Sequence, residues 1–243
     1  VVTAVRVRLH RPAPPSSVVL VGVDTFEQGL ALVRDALVPG SLLLAAEIMD
    51  DVSVDAAVSY TGRPWPLARR HPWLLLLETT DVAGVPGVDL PDDVDAVAAL
   101  DVADRARLWR YRECQGEAYS SLGVAHHLDV SIASPQLGAC AAVIRERLDA
   151  HPAVTHGGVF GHLADGNLHV GIVGPDPDDE SADLLVLTAV ADHGGSISAE
   201  HGVGRAKAPH LHLCRSAAEI AAMRSLKAAW DPDGRMAPGV IFG

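Results

Sequence analysis

The sequence lacks the long apolar runs of a membrane protein and the repeated cysteines of a disulfide-rich one. Its apolar runs, such as the four leucines at 74–77, fall far short of the roughly 18 residues that a spanning helix needs. Three cysteines, Cys114, Cys140 and Cys214, are too few and too far apart for a disulfide framework or a zinc–thiolate site. The sequence shows no basic segment followed by an apolar stretch, the pattern that predicts a secretory signal. We therefore expect no membrane span and a cytoplasmic location.

Basic residues and nucleotide-binding motifs are also scarce. The 243 residues include 19 lysines and arginines against 31 aspartates and glutamates, and the net charge of −12 opposes binding to nucleic acid. No Gly-x-Gly-x-x-Gly segment follows a predicted strand, and no Gly-Lys-Ser or Gly-Lys-Thr phosphate loop is present. The chain therefore has no self-sufficient nucleotide-binding motif, although 49% apolar residues can form a substantial core.

Apolar patterning predicts a mixture of strands and helices. Alternating Val5, Val7 and Leu9 predict a half-buried strand that ends at the prolines of residues 12–15. Further strands are predicted at 18–23, 42–49, 73–79 and 127–132, and helices at 26–37, 93–103, 104–120, 135–150 and 180–193. Glycine and prolines between 49 and 73 predict a loop. This order of elements indicates an α+β fold, an antiparallel sheet with helices on one side.

Two histidines flank an Asp-Gly pair in the segment Gly-His-Leu-Ala-Asp-Gly-Asn-Leu-His at 161–169. A two-residue turn at Asp165 and Gly166 would pair His162 directly with His169 across a hairpin. Opposed residues on one sheet face lie about 4.5 to 5.5 Å apart at Cβ, close enough for two imidazoles to bind one ion. The apolar residues of this segment fall on the other face: Leu163, Leu168, Val170 and Ile172. Two histidines on a polar sheet face, without a metal, are the alternative interpretation.

A second segment, Ser-Ile-Ser-Ala-Glu-His-Gly-Val-Gly-Arg-Ala-Lys at 196–207, predicts a short strand that enters a glycine-rich bend. It places Glu200 beside His201, an arrangement in which one loop supplies both a metal ligand and a general base. With His162 and His169, Glu200 completes a set of two histidines and one carboxylate that suits zinc, manganese or iron. Taken alone, the segment is equally consistent with a turn that carries solvated charges.

Four segments together resemble a known family. They are the two quoted above, the opening Val-Val-Thr-Ala-Val-Arg-Val-Arg-Leu, and Leu-Lys-Ala-Ala-Trp-Asp-Pro-Asp-Gly-Arg-Met-Ala-Pro-Gly near the end. These motifs resemble the C-terminal domain of the FAD-linked oxidases, which include D-lactate dehydrogenase, D-2-hydroxyglutarate dehydrogenase and the glycolate oxidase flavin subunit. The resemblance implies a cap domain of two ferredoxin-like halves at 1–229 and a tail at 230–243 that packs against a flavin domain outside this chain.

The resemblance also implies roles for individual residues. His162, His169 and Glu200 correspond to metal ligands, and His201 to a base or flavin-facing residue. Arg112 matches an arginine that grips a substrate carboxylate, a role suited to its fixed fork of donors. Without the resemblance, Arg112 would be interpreted as an arginine on a helix surface.

Several positions depart from the family pattern. In the D-2-hydroxyglutarate branch a lysine contacts the substrate where this chain has His127, a threonine where it has Gly116 and an asparagine where it has Gly171. We retain His127 as a substrate-binding candidate, but these losses argue against D-2-hydroxyglutarate as the substrate. Relatives commonly end in Leu-Asn-Pro-Gly-Lys, whereas residues 236–240 read Met-Ala-Pro-Gly-Val, with Ala237 in place of the asparagine.

The leading hypothesis is therefore an FAD-dependent oxidoreductase fragment that acts on a small 2-hydroxy acid and is inactive without an N-terminal flavin domain or subunit. That domain would hold most of the FAD, and a zinc, manganese or iron ion would assist substrate binding. The alternative is a non-catalytic cap module that binds a metal or a partner subunit. A metal-dependent hydrolase with the same ligands is a third hypothesis, which no flanking motif supports.

Overall fold

A computed structural model describes residues 2–9 and 14–242. The strands are β1 (Ser16–Val23), β2 (Leu43–Asp50), β3 (Trp73–Thr80), β4 (Ala96–Ala99), β5 (Ala125–Ser131), β6 (His156–His162) and β7 (Asn167–Val173). The helices are α1 (Phe26–Asp35), α2 (Asp51–Thr61), α3 (Val102–Glu113), α4 (Gln115–Leu122), α5 (Ser134–Asp149), α6 (Ser181–Asp192) and α7 (Ala217–Trp230), with a 3₁₀ helix at Ala208–Leu213. Every strand pairing among these elements is antiparallel, which confirms the α+β fold class.

The sheet consists of two blocks of strands that share one short pairing. Its order is β4-β1-β3-β2-β6-β7-β5, so the first four strands of the chain form one block and the last three form the other. In the described residues the blocks meet where β2 pairs with β6, and we call this pairing the seam. Three residue pairs form it: Glu47 with His162, Ile48 with Gly161, and Met49 with Phe160.

Helices cover both faces of the sheet, whereas the sequence predicted helices on one side. On the first face, α1, α5 and α6 pack against sheet residues such as Val21 and Val130. On the second face, α2, α3 and α4 pack against residues of the opposite orientation, such as Leu20 and Leu76. The reason is visible in β3, where residues 74–77 are all fully buried. A strand that is apolar on both sides needs cover on both sides.

The segment at 2–9 is not a strand, contrary to the prediction. Val5, Val7 and Leu9 are 73%, 68% and 87% exposed. No neighbouring strand pairs with this segment in the part of the chain that the structure describes. A strand needs a neighbour to satisfy its N–H and C=O groups, and alternation in the sequence does not supply one. Residues 10–13, including the first proline of the predicted cluster, lie outside the described residues.

Two further predictions are wrong, because 51–61 form α2 rather than a loop and 96–99 form β4 rather than part of a helix. The α2 helix begins where the Asp50 side chain accepts the backbone N–H of Ser53. It ends at Gly62, whose φ of 67° is a left-handed conformation that glycine adopts easily. β4 forms because 96–99 pair with β1, a long-range contact that local patterning does not reveal.

The short strand predicted at the start of 196–207 is only a single bridge between Ser196 and Ser131. The remaining predicted strands and helices are confirmed with small changes. The helix predicted at 104–120 is two helices, α3 and α4, which meet at Cys114. The α7 helix, which patterning did not predict, contains no buried residue, and Leu226 and Trp230 on it are 62% and 81% exposed. Among the described helices, none combines the length and apolar character that crossing a bilayer requires.

A pair of glycines makes room for the buried ring of Tyr119 on the second face. Gly158 in β6 and Gly171 in β7 lie directly opposite each other. A Cβ atom at Gly171 would come within 2.6 to 2.7 Å of three ring carbons of Tyr119, and one at Gly158 would overlap its hydroxyl oxygen. The Tyr119 ring in turn stacks on Phe160 with 6.1 Å between ring centroids. The two glycines therefore determine how the aromatic side chains of α4 and β6 pack.

Asp50 is a fully buried carboxylate at the end of β2. Its two oxygens accept the backbone N–H groups of Ser53 and Val159, each at 2.8 Å, and Arg145 Nε lies 3.7 Å from Oδ2. Burial is the largest effect on this group and raises the pKa of Asp50 to about 6, although its hydrogen bonds and Arg145 oppose the shift.

We therefore expect Asp50 to make the protein less stable as the pH rises from about 4 to about 6. In that range the folded protein holds the proton more tightly than the unfolded chain, so raising the pH favours unfolding. Two pKa units correspond to about 3 kcal/mol, and Asp50→Asn should remove that part of the pH dependence. Urea unfolding of both proteins at the two ends of this range measures it. Equal pH slopes would show that Asp50 does not contribute.

Candidate active site

A cavity of about 420 Å³ opens on the second face of the sheet, beside the junction of α3 and α4. It brings together the predicted metal ligands, the predicted base, the predicted carboxylate-gripping arginine and the predicted substrate-binding histidine. Its lining consists of Arg112, Gly116, His127, Leu128, Phe160, His162, His169, Val170, Glu200 and His201. Residues that are 89 positions apart in the sequence, such as Arg112 and His201, therefore share one space.

The hairpin brings the two histidines together in a register that differs from the prediction. β6 and β7 pair His162 with Asn167 and His169 with Phe160, so a four-residue loop replaces the two-residue Asp-Gly turn. The backbone N–H of Leu163 donates to β2 at 2.8 Å, which removes Leu163 from the hairpin ladder. A shift of two residues keeps both histidines on one face, with 5.4 Å between ring centroids. As predicted, the other face buries Leu163, Leu168, Val170 and Ile172.

A buried carboxylate stands behind His162. Glu47 lies opposite His162 in the seam, and its Oε1 accepts a hydrogen bond from His162 Nδ1 at 2.7 Å. Its other oxygen, Oε2, accepts from Arg112 Nε at 2.8 Å. The hydrogen bond with Glu47 is the main cause of a raised pKa of His162. Because Nδ1 is engaged, the Nε2 atom of His162 is the one available to a ligand.

His169 lies deeper in the cavity, with its side chain 13% exposed. Its ring contacts Phe160 and stacks on His201, with centroid separations of 5.4 and 5.6 Å. Its Nδ1 lies 3.8 Å from Oδ1 of Asp129, a buried oxygen that has no hydrogen-bond partner among the described residues. Burial is the main cause that lowers the pKa of His169 to about 4, so its ring is neutral at pH 7.

Glu200 lies between the two histidines. Its Oε1 is 3.6 Å from His162 Nε2 and 3.4 Å from His169 Nε2, and it accepts a hydrogen bond from Asn167 Nδ2 at 3.0 Å. Asp129 Oδ2 accepts the backbone N–H of Glu200. Burial would raise the pKa of Asp129, but three backbone N–H donors and a nearby lysine outweigh burial and lower it. The structure thus brings the three predicted ligands together around a half-exposed carboxylate.

These side chains fit a divalent metal ion. A carboxylate, from Glu47 or Asp129, lies near the Nδ1 atom of each histidine, and such carboxylates orient imidazole ligands in metal sites. A set of two imidazoles and one carboxylate suits zinc, manganese or iron. Among the described residues, the donor atoms that all lie within 4.8 Å of one another come from Asp129, His169, Glu200 and His201, so this group differs from the predicted set and does not include His162. His169 and Glu200 belong to both sets.

Arg112 is not an exposed helix arginine. Its side chain is 12% exposed, and the guanidinium carbon lies 5.1 Å from the ring centroid of Phe160. Its Nε is held by Glu47, and its two terminal nitrogens form no hydrogen bond with another described residue. A carboxylate in the cavity can therefore pair with those two nitrogens without displacing Glu47.

The positions that depart from the family pattern lie in different surroundings. His127 and Gly116 line the cavity, and burial lowers the pKa of His127. Gly171 is covered by the ring of Tyr119 and does not line the cavity. Ala237, in the tail, has a left-handed φ of 44°, and the tail does not line the cavity.

Sequence patterning missed the two carboxylates behind the histidines, Glu47 and Asp129. Both lie within predicted strands, where an acidic side chain that is buried must have a polar partner, and this is the signal that could have revealed them. It also missed Lys207, whose buried ammonium donates to the backbone oxygen of Asp129 at 2.6 Å. Burial lowers the pKa of Lys207.

The fold is similar to part of a solved structure. The crystal structure of p-cresol methylhydroxylase with substrate bound is similar to this chain with a TM-score of 0.60 and 13% identity, over 94% of this chain and 53% of that one. This similarity concerns the fold alone. Residues 13–241 match the family model for FAD linked oxidases, C-terminal domain. The chain belongs to this family, as its motifs predicted.

Two relatives illustrate its place in the family. A D-2-hydroxyglutarate–pyruvate transhydrogenase of Saccharomyces cerevisiae is 32% identical over 263 residues, covering 98% of this chain and 53% of the relative. A D-2-hydroxyglutarate dehydrogenase of Xanthomonas citri pv. viticola is 31% identical over 264 residues, covering 100% of this chain and 54% of the relative. The chain thus spans about half the length of these relatives.

Proposed function

We propose that this chain is the substrate-binding part of an FAD-dependent oxidoreductase that oxidises a small 2-hydroxy acid. The observation that carries the proposal is one cavity in which His162, His169 and Glu200 face one another beside Arg112. Membership of the FAD-linked oxidase family supports the oxidoreductase class and the flavin. The substrate, the metal and the residue roles below belong to the proposal.

The metal would be zinc, manganese or iron, held by Nε2 of His162, Nε2 of His169 and the Glu200 carboxylate. When bound, such an ion acts as a Lewis acid that lowers the pKa of a hydroxyl group. Glu47 and Asp129 would hold the two rings in orientation through their Nδ1 atoms.

The remaining side chains would bind and orient the acid. Arg112 would pair with its carboxylate through the two terminal guanidinium nitrogens, while Nε stays on Glu47. His201, which stacks on His169, would accept the hydroxyl proton at an imidazole nitrogen. His127 would form the uncharged part of the wall. FAD, when bound, supplies the hydride-accepting chemistry.

The flavin would be held mainly by an N-terminal domain or subunit outside this chain, with the tail at 230–243 packed against it. The absence of a phosphate-binding glycine loop from the sequence supports this arrangement. A cytoplasmic location remains part of the proposal, and the unpaired, buried Cys114 and Cys140 are compatible with it.

A non-catalytic cap module is the second candidate function. It is favoured by Gly116, which lines the cavity where the D-2-hydroxyglutarate branch has a threonine, so that the cavity gains space there but no hydrogen-bonding group. Such a module would bind a metal or a subunit without turning over a hydroxy acid.

The deciding experiment uses the full-length gene product that contains this chain. Its bound flavin and metal are measured, and turnover is assayed with a panel of D-2-hydroxy acids and an artificial electron acceptor. We expect bound flavin, a divalent metal whose removal by chelation abolishes turnover, and oxidation of at least one acid. A flavin-loaded product that oxidises no 2-hydroxy acid contradicts the proposal, and a product with neither flavin nor turnover favours the cap module.

We also expect this chain alone to bind FAD weakly or not at all. It has no phosphate-binding glycine loop, and a cap provides only one wall of a flavin site, so most of the binding free energy is missing. Titration with FAD, followed by flavin fluorescence, measures this. Tight binding at one FAD per chain would show that the cofactor site lies within these residues.

A further inference from the structure

Asp129 connects the two parts of the candidate site that come from distant segments. Its side chain, on the edge strand β5, is only 2% exposed. Its Oδ2 accepts the backbone N–H groups of Ala199, Glu200 and His201 at 3.0, 2.9 and 3.0 Å. These residues lie in a segment that is neither helix nor strand, so the carboxylate takes the place of the partners that a regular element would supply.

The other oxygen of the same carboxylate faces His169 of β7, one of the proposed metal ligands. Oδ1 of Asp129 lies 3.8 Å from His169 Nδ1, is buried, and has no hydrogen-bond partner among the described residues. A buried acceptor without a donor is costly, and a small approach of the ring would satisfy it. Asp129 and His169 are also direct partners across β5 and β7, so their backbones are already in register.

The backbone of Asp129 is itself anchored from the same loop. Lys207 Nζ, buried at the end of the glycine-rich segment, donates to the Asp129 carbonyl oxygen at 2.6 Å. The segment therefore contacts Asp129 at both ends, through backbone N–H groups at 199–201 and through a side chain at 207. Such a double attachment fixes the loop against one residue rather than against the sheet in general.

We infer that Asp129 is a positioning residue that sets Glu200 and His201 against His169. One oxygen holds the loop that carries Glu200 and His201, and the other orients the His169 ring through Nδ1. The metal part of this inference rests on the proposed function, whereas the loop part does not. Asp129 itself does not line the cavity.

The test compares two buried carboxylates in the full chain. Asp129→Asn keeps one acceptor oxygen and replaces the other with an NH2 donor, so the side chain can no longer offer an acceptor to the loop and to His169 at the same time. Asp50→Asn is the matched control, because Asp50 is a buried carboxylate that also accepts backbone N–H groups but contacts none of the proposed ligands. Zn²⁺ and Mn²⁺ are titrated separately into each protein by calorimetry. We expect Asp129→Asn to weaken metal binding by about 10- to 100-fold and Asp50→Asn to leave it unchanged. Unchanged affinity in Asp129→Asn, or equal losses in both, overturns the inference.

Hydrogen exchange supplies a measurement that does not depend on the metal or on a variant that folds. In the unmutated chain the amides of Ala199, Glu200 and His201 should exchange slowly, while that of Gly202, in the same loop, should exchange fast. In Asp129→Asn, where folded, all three should exchange faster, because a neutral amide oxygen accepts hydrogen bonds more weakly than a carboxylate oxygen. Fast exchange of the three amides in the unmutated chain overturns the inference. If no metal binds but the three amides are protected, the metal site of the proposed function fails and the positioning of the loop stands.

Discussion

Arg112→Ala in the full-length enzyme is expected to weaken transition-state binding by about 2 to 4 kcal/mol, which lowers kcat/KM roughly 30- to 900-fold. The truncation removes the two terminal nitrogens that would pair with the substrate carboxylate. It also leaves Glu47, whose side chain is 7% exposed, with His162 as its remaining partner. Arg112→Lys should not restore the rate, because a single ammonium cannot hold both Glu47 and a carboxylate in parallel. Steady-state kinetics of the variants gives these values.

The control for this prediction is on the same helix. Arg107 pairs with Asp104 at 3.1 Å, and both side chains are largely exposed, so Arg107→Ala should leave kcat/KM close to that of the unmutated enzyme. Near-normal kcat/KM for Arg112→Ala on the true substrate would mean that Arg112 only pairs with Glu47 and packs against Phe160. The proposed acid substrate would then lose its main support outside the metal ligands.

Gly171→Ala should lower the free energy of unfolding by about 1 to 3 kcal/mol. The added methyl group would come within 2.6 to 2.7 Å of the Tyr119 ring, which cannot move outward without disturbing its stack on Phe160. Gly171→Asn, which restores the residue of the D-2-hydroxyglutarate branch, should cost more, because a larger side chain meets the same ring. Urea unfolding measures both effects.

Two comparisons distinguish the clash with Tyr119 from the general effect of replacing a glycine with alanine. Gly116 lies in α4, and a Cβ atom there would meet nothing within 4 Å. Gly116→Ala should therefore be neutral or slightly stabilising. Tyr119→Ala combined with Gly171→Ala should cost less than the sum of the two single changes. Additive losses would show that the two residues do not compete for the same space.

Sequence patterning predicted the parts of this fold that local chemistry determines. The helix at 135–150 and the apolar side of the hairpin are confirmed because they depend on residues within a few turns or one strand of each other. The register of the hairpin was wrong because the N–H of Leu163 bonds to β2, which is more than one hundred residues away in the sequence. The same reason explains β4, which exists only as a partner of β1.

The candidate site was likewise predictable only in part from the sequence. Motifs indicated His162, His169 and Glu200, and the structure places them side by side. The carboxylates behind them, Glu47 and Asp129, come from other strands, and no spacing in the sequence relates them to the histidines. The order of the strands in the sheet determines which carboxylate lies behind each histidine. That order depends on the whole chain and not on local sequence.

The seam between β2 and β6 also links ligand binding to the stability of the sheet against separation of its two blocks. Only three residue pairs join the two blocks there, and one of them is Glu47 with His162. Separating the blocks would break the hydrogen bond behind His162 and would also divide both apolar clusters, each of which contains residues of both blocks. A ligand that needs this arrangement binds only the joined form and so opposes the separation by mass action. A ligand bound at the candidate site would therefore stabilise the contact between the two blocks.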